Sequence, residues 1–176
     1  LAILKKVCRI AYKEGYAERC HFANFTLPQK TERTPRALSR EDFEKIRDVE
    51  IPAWRTTHIL VRDLFLFACY TGTAYVDAVS VTRDNLYTDD EGCLWLKYRR
   101  QKNELRASVK LLPEALALIE KYHDENRPTL FPMIYHPNLR RHMKSLAVLA
   151  GVSSTLCYHQ ARHSFASLIT LEAGVP

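Results

Sequence analysis

His159 and Arg162 stand three residues apart in the run Tyr158-His159-Gln160-Ala161-Arg162-His163-Ser164-Phe165. If that run is helical, the two side chains share a face. An imidazole holds or moves a proton near neutral pH, and a guanidinium offers a planar fork of donors to two phosphate oxygens. Together they can grip and protonate a phosphate. Ala161, Phe165, Leu168 and Ile169 form an adjacent apolar stripe suited to anchoring such a helix in a core. The plainer reading of the pair taken alone is a helix start with a polar face. His159 and His163 are also spaced i, i+4, as on a zinc-hydrolase helix, but that chemistry needs a Glu directly after the first His. Gln160 stands there and Arg162 would set a cation beside the metal, so no metal ligands are assigned.

The elements that must position these residues follow from patterning. Ile3, Leu4, Val7, Ile10 and Ala11 lie on one helical stripe with Lys5, Lys6, Arg9 and Lys13 elsewhere, and Gly15 ends the helix. Residues 26 to 37, with Pro28 and Pro35 and no periodicity, read as a linker. Ser39 is a candidate N-cap, with Asp42 three residues on, for a helix to Asp48. Thr57 to Tyr70 reads as a buried helix stopped by Gly72, and Asp77 to Val81 as a short helix. Residues 93 to 100 and 106 to 112 are β-favouring runs around Gln101 to Leu105, a hairpin with Lys102 near its tip. Pro113 starts a helix to His123, and Asn138 to Ala150 makes another, stopped by Gly151. The fold class is mainly α with a small antiparallel β-sheet, an α+β arrangement.

Four stretches, in this order, resemble the tyrosine recombinases, the integrase family of phages and bacterial mobile elements. They are Thr34 to Phe43, Phe67 to Asp77 with its Tyr70-Thr71-Gly72-Thr73 turn, Tyr98-Arg99-Arg100-Gln101-Lys102-Asn103, and His159-x-x-Arg162. The resemblance covers residues 34 to 176. It implies a recombinase catalytic domain, incomplete, at 35–176, and at 1–34 the end of a helical DNA-clamping domain plus linker. It also implies DNA cutting and rejoining through a 3′-phosphotyrosyl intermediate. Lys102, His159 and Arg162 would be catalytic, with Arg162 on the non-bridging oxygens, His159 handling a proton, and Lys102 protonating the departing 5′ oxygen. General acid help of that kind is worth roughly 10² to 10⁴ in rate. A loop lysine is otherwise an ordinary solvated charge.

Departures from the family pattern matter as much. Most members carry an Arg where this chain has Ala74, and the nucleophilic Tyr follows the His-x-x-Arg helix by several tens of residues, past Pro176. The chain as given is therefore expected not to cleave. Arg62 or Arg83 is a candidate replacement for the guanidinium absent at Ala74, and Asp77 is expected to orient its neighbours. Arg99, Arg100 and Arg62 are the candidate DNA contacts. Arg140, Arg141 and Lys144 are further basic residues that could touch a DNA backbone. A non-catalytic DNA-binding module derived from such an integrase is the alternative.

Composition agrees with a nucleic-acid partner and excludes other classes. The net charge is +6 with a pI near 9.1, and residues 1 to 35 hold seven Lys/Arg against three acids. Hydrophobic content of 47% in 176 residues supports a real core. Cys8, Cys20, Cys69, Cys93 and Cys157 are scattered and odd in number, which points to a reducing cytosol rather than a disulfide framework. Apolar runs such as Leu64 to Ala68 fall far short of the roughly 20 residues a membrane span needs. Leu1 to Lys6 reads as the cut end of a helix from a larger protein, not as a signal peptide. The expected partner is double-stranded DNA at recombination sites, bound by a homo-oligomer in the bacterial cytoplasm at the nucleoid. No metal, nucleotide cofactor, membrane or small-molecule substrate is expected.

Overall fold

The computed structural model of the chain describes residues 2–22, 37–152 and 156–171. The chain divides into two compact units, 1–34 and 35–176. In the first, helix α1 (Ala2–Lys13) presents Ile3, Leu4, Val7 and Ile10 on an exposed apolar face. Gly15 follows at φ +78°, a left-handed stop that glycine adopts without steric cost. The linker read at 26 to 37 lies outside the described residues except for Ala37.

The second unit opens with α2 (Arg40–Asp48), capped as its sequence predicts: Ser39 Oγ accepts the Asp42 N–H at 3.1 Å. Phe43 and Ile46 supply its buried face. Helix α3 (Thr56–Thr71) follows and is buried at every position from Asp63 to Thr71. A helix apolar on all faces has to be surrounded, and α3 packs against α2, α4 (Tyr75–Ala78), α5 (Pro113–Lys121), α6 (His136–Leu149) and α7 (Tyr158–Ser164). The short helix α4 starts ahead of Asp77, where the sequence reading placed it, because the chain recovers helical dihedrals directly after the Gly72 turn. Pro137 falls in the first turn of α6, where a missing N–H costs nothing, and the helix begins two residues ahead of the expected Asn138.

Between α4 and α5 lies a three-stranded antiparallel sheet in the order β1 (Leu86–Thr88), β2 (Leu94–Arg99), β3 (Arg106–Lys110). The β2–β3 hairpin has the register Tyr98↔Ala107 and Arg99↔Arg106. β1 was not anticipated; three residues are too few for an alternation to show. Helix α7 runs on into π-helical turns at Phe165–Leu171. The fold is therefore mainly helical with one small antiparallel sheet, the class read from the sequence.

Aromatic rings fill the core around α3. Phe67 meets Phe131 with ring centroids 4.7 Å apart, and Phe65 meets Tyr158 edge-on at 6.4 Å. The Tyr158 hydroxyl is buried and donates to the Leu64 carbonyl at 2.9 Å, which keeps the start of α7 against the middle of α3. Asp63 is a carboxylate only 1% exposed. It accepts from Arg62 Nε at 2.9 Å, Lys121 Nζ at 2.6 Å and the Tyr122 hydroxyl at 2.9 Å, so its charge is paired and α3 is tied to α5.

Gly72 meets two constraints at once. Its φ of +66° closes α3, with its N–H donating to the Ala68 carbonyl at 2.8 Å. A Cβ there would also meet Phe165 Cδ1 at 2.7 Å, inside any allowed contact. The turn after α3 and the segment after α7 thus touch through a site that admits no side chain. Gly72→Ala is expected to destabilise the domain by roughly 2 to 4 kcal/mol, the sum of a left-handed alanine and an overpacked contact, as read by urea titration.

Candidate functional site

Helix α7 presents His159 and Arg162 from a well-held start. Gln160 Oε1 accepts the Cys157 N–H at 2.8 Å, so the residue standing where a metalloprotease has its Glu closes the first turn of the helix. Ser164 fixes the other end: its Oγ donates to the Gln160 carbonyl at 2.9 Å and accepts the Leu38 N–H at 3.0 Å, linking α7 to the residues just ahead of α2. Tyr158, Ala161 and Ser164 are buried, while His159 is exposed and Arg162 half-buried. The apolar anchor and the chemical face are thus separate sides of the same two turns.

The hairpin brings the second group of cations. Asp77, 3% exposed, turns its Oδ1 to the backbone N–H of Gln101 at 3.0 Å. That bond holds the residue next to Lys102 against α4, the orienting part expected of Asp77. Tyr98, one strand residue before the arginines, is buried among Asp77, Arg100 and Arg162. Burial pushes its phenol above the ordinary range, Asp77 pushes the same way, and the two guanidiniums pull against them. It is a poor nucleophile.

Lys102 and Arg162 both lie close enough to His159 to act on its charge. The His159 imidazole is held below its usual range first by partial burial and then by the positive fields of His163, Arg162 and Lys102. It is therefore neutral at pH 7 with no anion bound. The rings of His159 and His163 meet edge-on with centroids 4.6 Å apart, and His163 Nε2 is buried with no hydrogen-bond partner. Among the described residues the one group of three ligand-type side chains lies elsewhere, Asp89, Glu91 and Cys93 at the β1–β2 turn. There the Asp89 carboxylate is already occupied, accepting from Trp95 Nε1 at 2.6 Å and the Cys93 N–H at 2.8 Å.

Beside this cluster opens a cleft of about 1000 Å³. Arg40, Arg100, Arg106, Arg162 and Lys110 line it, and among the described residues no carboxylate does. Gly72 and Phe165, which touch each other, also line it. Like charges brought to one cleft repel one another and create a positive local potential, which a bound anion relieves. Arg99 and Arg106 also face each other directly across the β2–β3 pair, an arrangement that destabilises a hairpin unless something negative sits nearby.

Other basic residues named from the sequence stand apart. Arg62 is bound to Asp63 and donates to the Val49 carbonyl at 3.2 Å, so its guanidinium is committed inside the fold. Arg83 lies beside His123, 3.3 Å between nitrogens. Arg140, Arg141 and Lys144 are exposed along α6 and do not line the cleft. Arg99 is exposed on β2, and Ala74 at the start of α4 offers no donor. Sequence reasoning missed Arg40 and Arg106. Arg106 had a signal in its position opposite Arg99, whereas the approach of Arg40 depends on how α2 packs.

No family model matches the sequence. The chain is 25% identical over 169 residues to tyrosine recombinase XerD of Chlorobaculum tepidum, an alignment covering 86% of this chain and 53% of that protein. Its structure is similar to lambda integrase 75–356, solved as a dimer bound to a COC′ core site, with a TM-score of 0.73 at 17% identity over 97% of this chain and 62% of that one. It is similar also to the Tn1549 transposon integrase solved with a circular intermediate DNA, with a TM-score of 0.65 at 14% identity over 98% of this chain and 65% of the other. XerH recombinase bound to palindromic difH gives a TM-score of 0.63 at 19% identity, over 89% and 50%.

The fold is that of the tyrosine recombinase catalytic domain over part of its length. The chain is similar in sequence and in fold to tyrosine recombinases. It spans about half the length of the curated relative it matches. No helix among the described residues is long and apolar enough to cross a membrane.

The electrostatics of His159 can be read directly. With its folded-state pKa below the unfolded value of 6.5, the folded protein binds that proton more weakly, so its contribution to stability is present above pH 6.5 and lost as pH falls through the folded value. The expected outcome of an NMR titration is a His159 midpoint below 6.5 that rises in Lys102→Ala and rises again with inorganic phosphate. A midpoint unmoved by both would separate His159 from the basic cluster.

Proposed function

We propose that this chain is the greater part of the catalytic domain of a site-specific DNA recombinase or integrase, preceded at 1–34 by the end of a DNA-clamping domain and linker. The observation that carries the reading is a cleft lined by Arg40, Arg100, Arg106 and Arg162, and it is supported by the charges of Lys102 and Arg162, which both act on His159. A scissile phosphate placed there would receive charge-assisted bonds from Arg162, which strengthen as the phosphorus becomes five-coordinate. A tyrosine hydroxyl from the segment that follows α7 in the family would attack the phosphorus. The P–O(Tyr) bond forms, the bond to the 5′ oxygen breaks, the phenol proton passes to neutral His159, and Lys102 supplies the proton that the 5′ oxygen takes up. The phosphoester bond energy stays in the 3′-phosphotyrosyl link, ready for attack by a 5′ hydroxyl of the partner DNA.

The partner on this reading is duplex DNA at recombination sites, held by more than one copy of the protein, in the bacterial cytoplasm at the nucleoid. Arg99 and Arg100 serve as DNA contacts. Ala74 favours a second reading, a module that binds DNA without cutting it. The two separate on a nicked suicide duplex with the reading frame extended beyond Pro176. A covalent protein–DNA adduct on denaturing electrophoresis, with a loss of at least about 10²-fold in Arg162→Ala, is the expected result. Salt-sensitive binding with no adduct would establish the binding module instead.

A further inference from the structure

The Thr-Gly-x turn after α3 leaves a gap: Ala74 has no donor, and with Lys102 assigned to the departing 5′ oxygen, Arg162 is the one guanidinium left for the two non-bridging oxygens, on which the charge of a five-coordinate phosphorane builds up. Neither candidate read from the sequence is placed to fill it. Arg62 is engaged by Asp63 and the Val49 carbonyl, and Arg83 lies beside His123. Another arginine is better placed.

We propose that Arg100, at the end of β2, is a catalytic residue: the second guanidinium on the scissile phosphate, replacing the one that position 74 lacks. Arg100 lines the same cleft as Arg162. Both lie close enough to the buried Tyr98 hydroxyl to pull its pKa down, Arg100 through a side-chain hydrogen bond as well. The Nε of Arg100 is buried and has no hydrogen-bond partner, and a buried donor left unsatisfied costs stability that a bound oxygen would recover. Its backbone is held on both sides. Its N–H donates to the Leu105 carbonyl at 2.9 Å and its carbonyl accepts the Glu104 N–H at 2.8 Å, while the next residue, Gln101, is pinned by Asp77. The guanidinium thus arrives from the hairpin, two residues before Lys102, and hairpin closure would deliver acid and oxyanion contact together.

The proposal rests on the recombinase reading, and the experiment separates the two. Single-turnover cleavage of a nicked suicide duplex is measured with the extended wild-type chain, Arg162→Ala, Arg100→Ala and Arg100→Lys, each checked for a native melting temperature. Arg100→Ala is expected to lose about 10² to 10³-fold in cleavage rate. Arg100→Lys, keeping charge but not the fork, is expected to recover part of it. On a duplex with an uncharged methylphosphonate at the scissile position, the gap between wild type and Arg100→Ala is expected to shrink to about tenfold or less, since the charge that Arg100 opposes is gone. A structural role would leave the gap unchanged on that substrate. Should Arg100→Ala fail to fold, Arg100→Lys and its ratio on the two substrates give the same answer. Full cleavage by Arg100→Ala while Arg162→Ala is dead would overturn the role of Arg100 alone. No adduct from the wild type would overturn both readings.

Discussion

Holding like charge together is the constraint on which the rest of this structure depends. Among the described residues, four guanidiniums and a lysine line one cleft with no carboxylate in its lining, and Lys102 adds its field at His159. Repulsion of this kind has to be resisted by elements that stay in place with no ligand bound. Helix α3 does this by being dry: it is buried from Asp63 to Thr71, and its aromatic neighbours interlock around it. The carboxylates that might have quenched the cleft are used elsewhere. Asp63 is spent on α5 and Asp77 on the Gln101 amide, each as a tie between elements.

Three ties set the geometry of the cluster. Asp77 fixes the root of the hairpin tip, Tyr158 pins the start of α7 to α3, and the Gly72–Phe165 contact seats the segment after α7 against the turn after α3. The chemical residues lie on two elements far apart in sequence, Lys102 and Arg100 on the hairpin and His159 and Arg162 on α7. Each tie spans that separation or one like it. A small displacement of either element would separate the cations and weaken the field that, after partial burial, holds the His159 pKa down, since Coulomb terms fall with distance.

Much of this was legible in the sequence. The Ser39 cap, the buried α3, the Gly72 stop, the hairpin around Lys102 and the His159 helix all have local signals: a capping residue, an unbroken apolar run, a glycine, alternation, and a polar pair one turn apart. What was not legible depends on packing. Asp63 reads as an ordinary helix acid beside Arg62 until Lys121 and Tyr122 are brought to it from α5. That same Asp63 withdraws Arg62 from the DNA-contact reading, since a guanidinium held at 2.9 Å by a buried carboxylate is not free for a phosphate. Arg100 reads as one of a solvated pair, and only the folded chain shows Arg99 exposed while Arg100 is half-buried and lines the cleft. The strand β1 is shorter than any alternation can reveal, and the short α4, expected from Asp77, begins two residues earlier at Tyr75.

The central claim is that one DNA phosphate is held jointly by the hairpin and α7. A crystal structure of the chain on a duplex carrying its recombination site tests this most directly. The account predicts a backbone phosphate within hydrogen-bonding distance of Arg162 and His159 on one side and of Arg100 and Lys102 on the other. DNA lying along α6 through Arg140, Arg141 and Lys144, with the arginine-lined cleft empty, would contradict it.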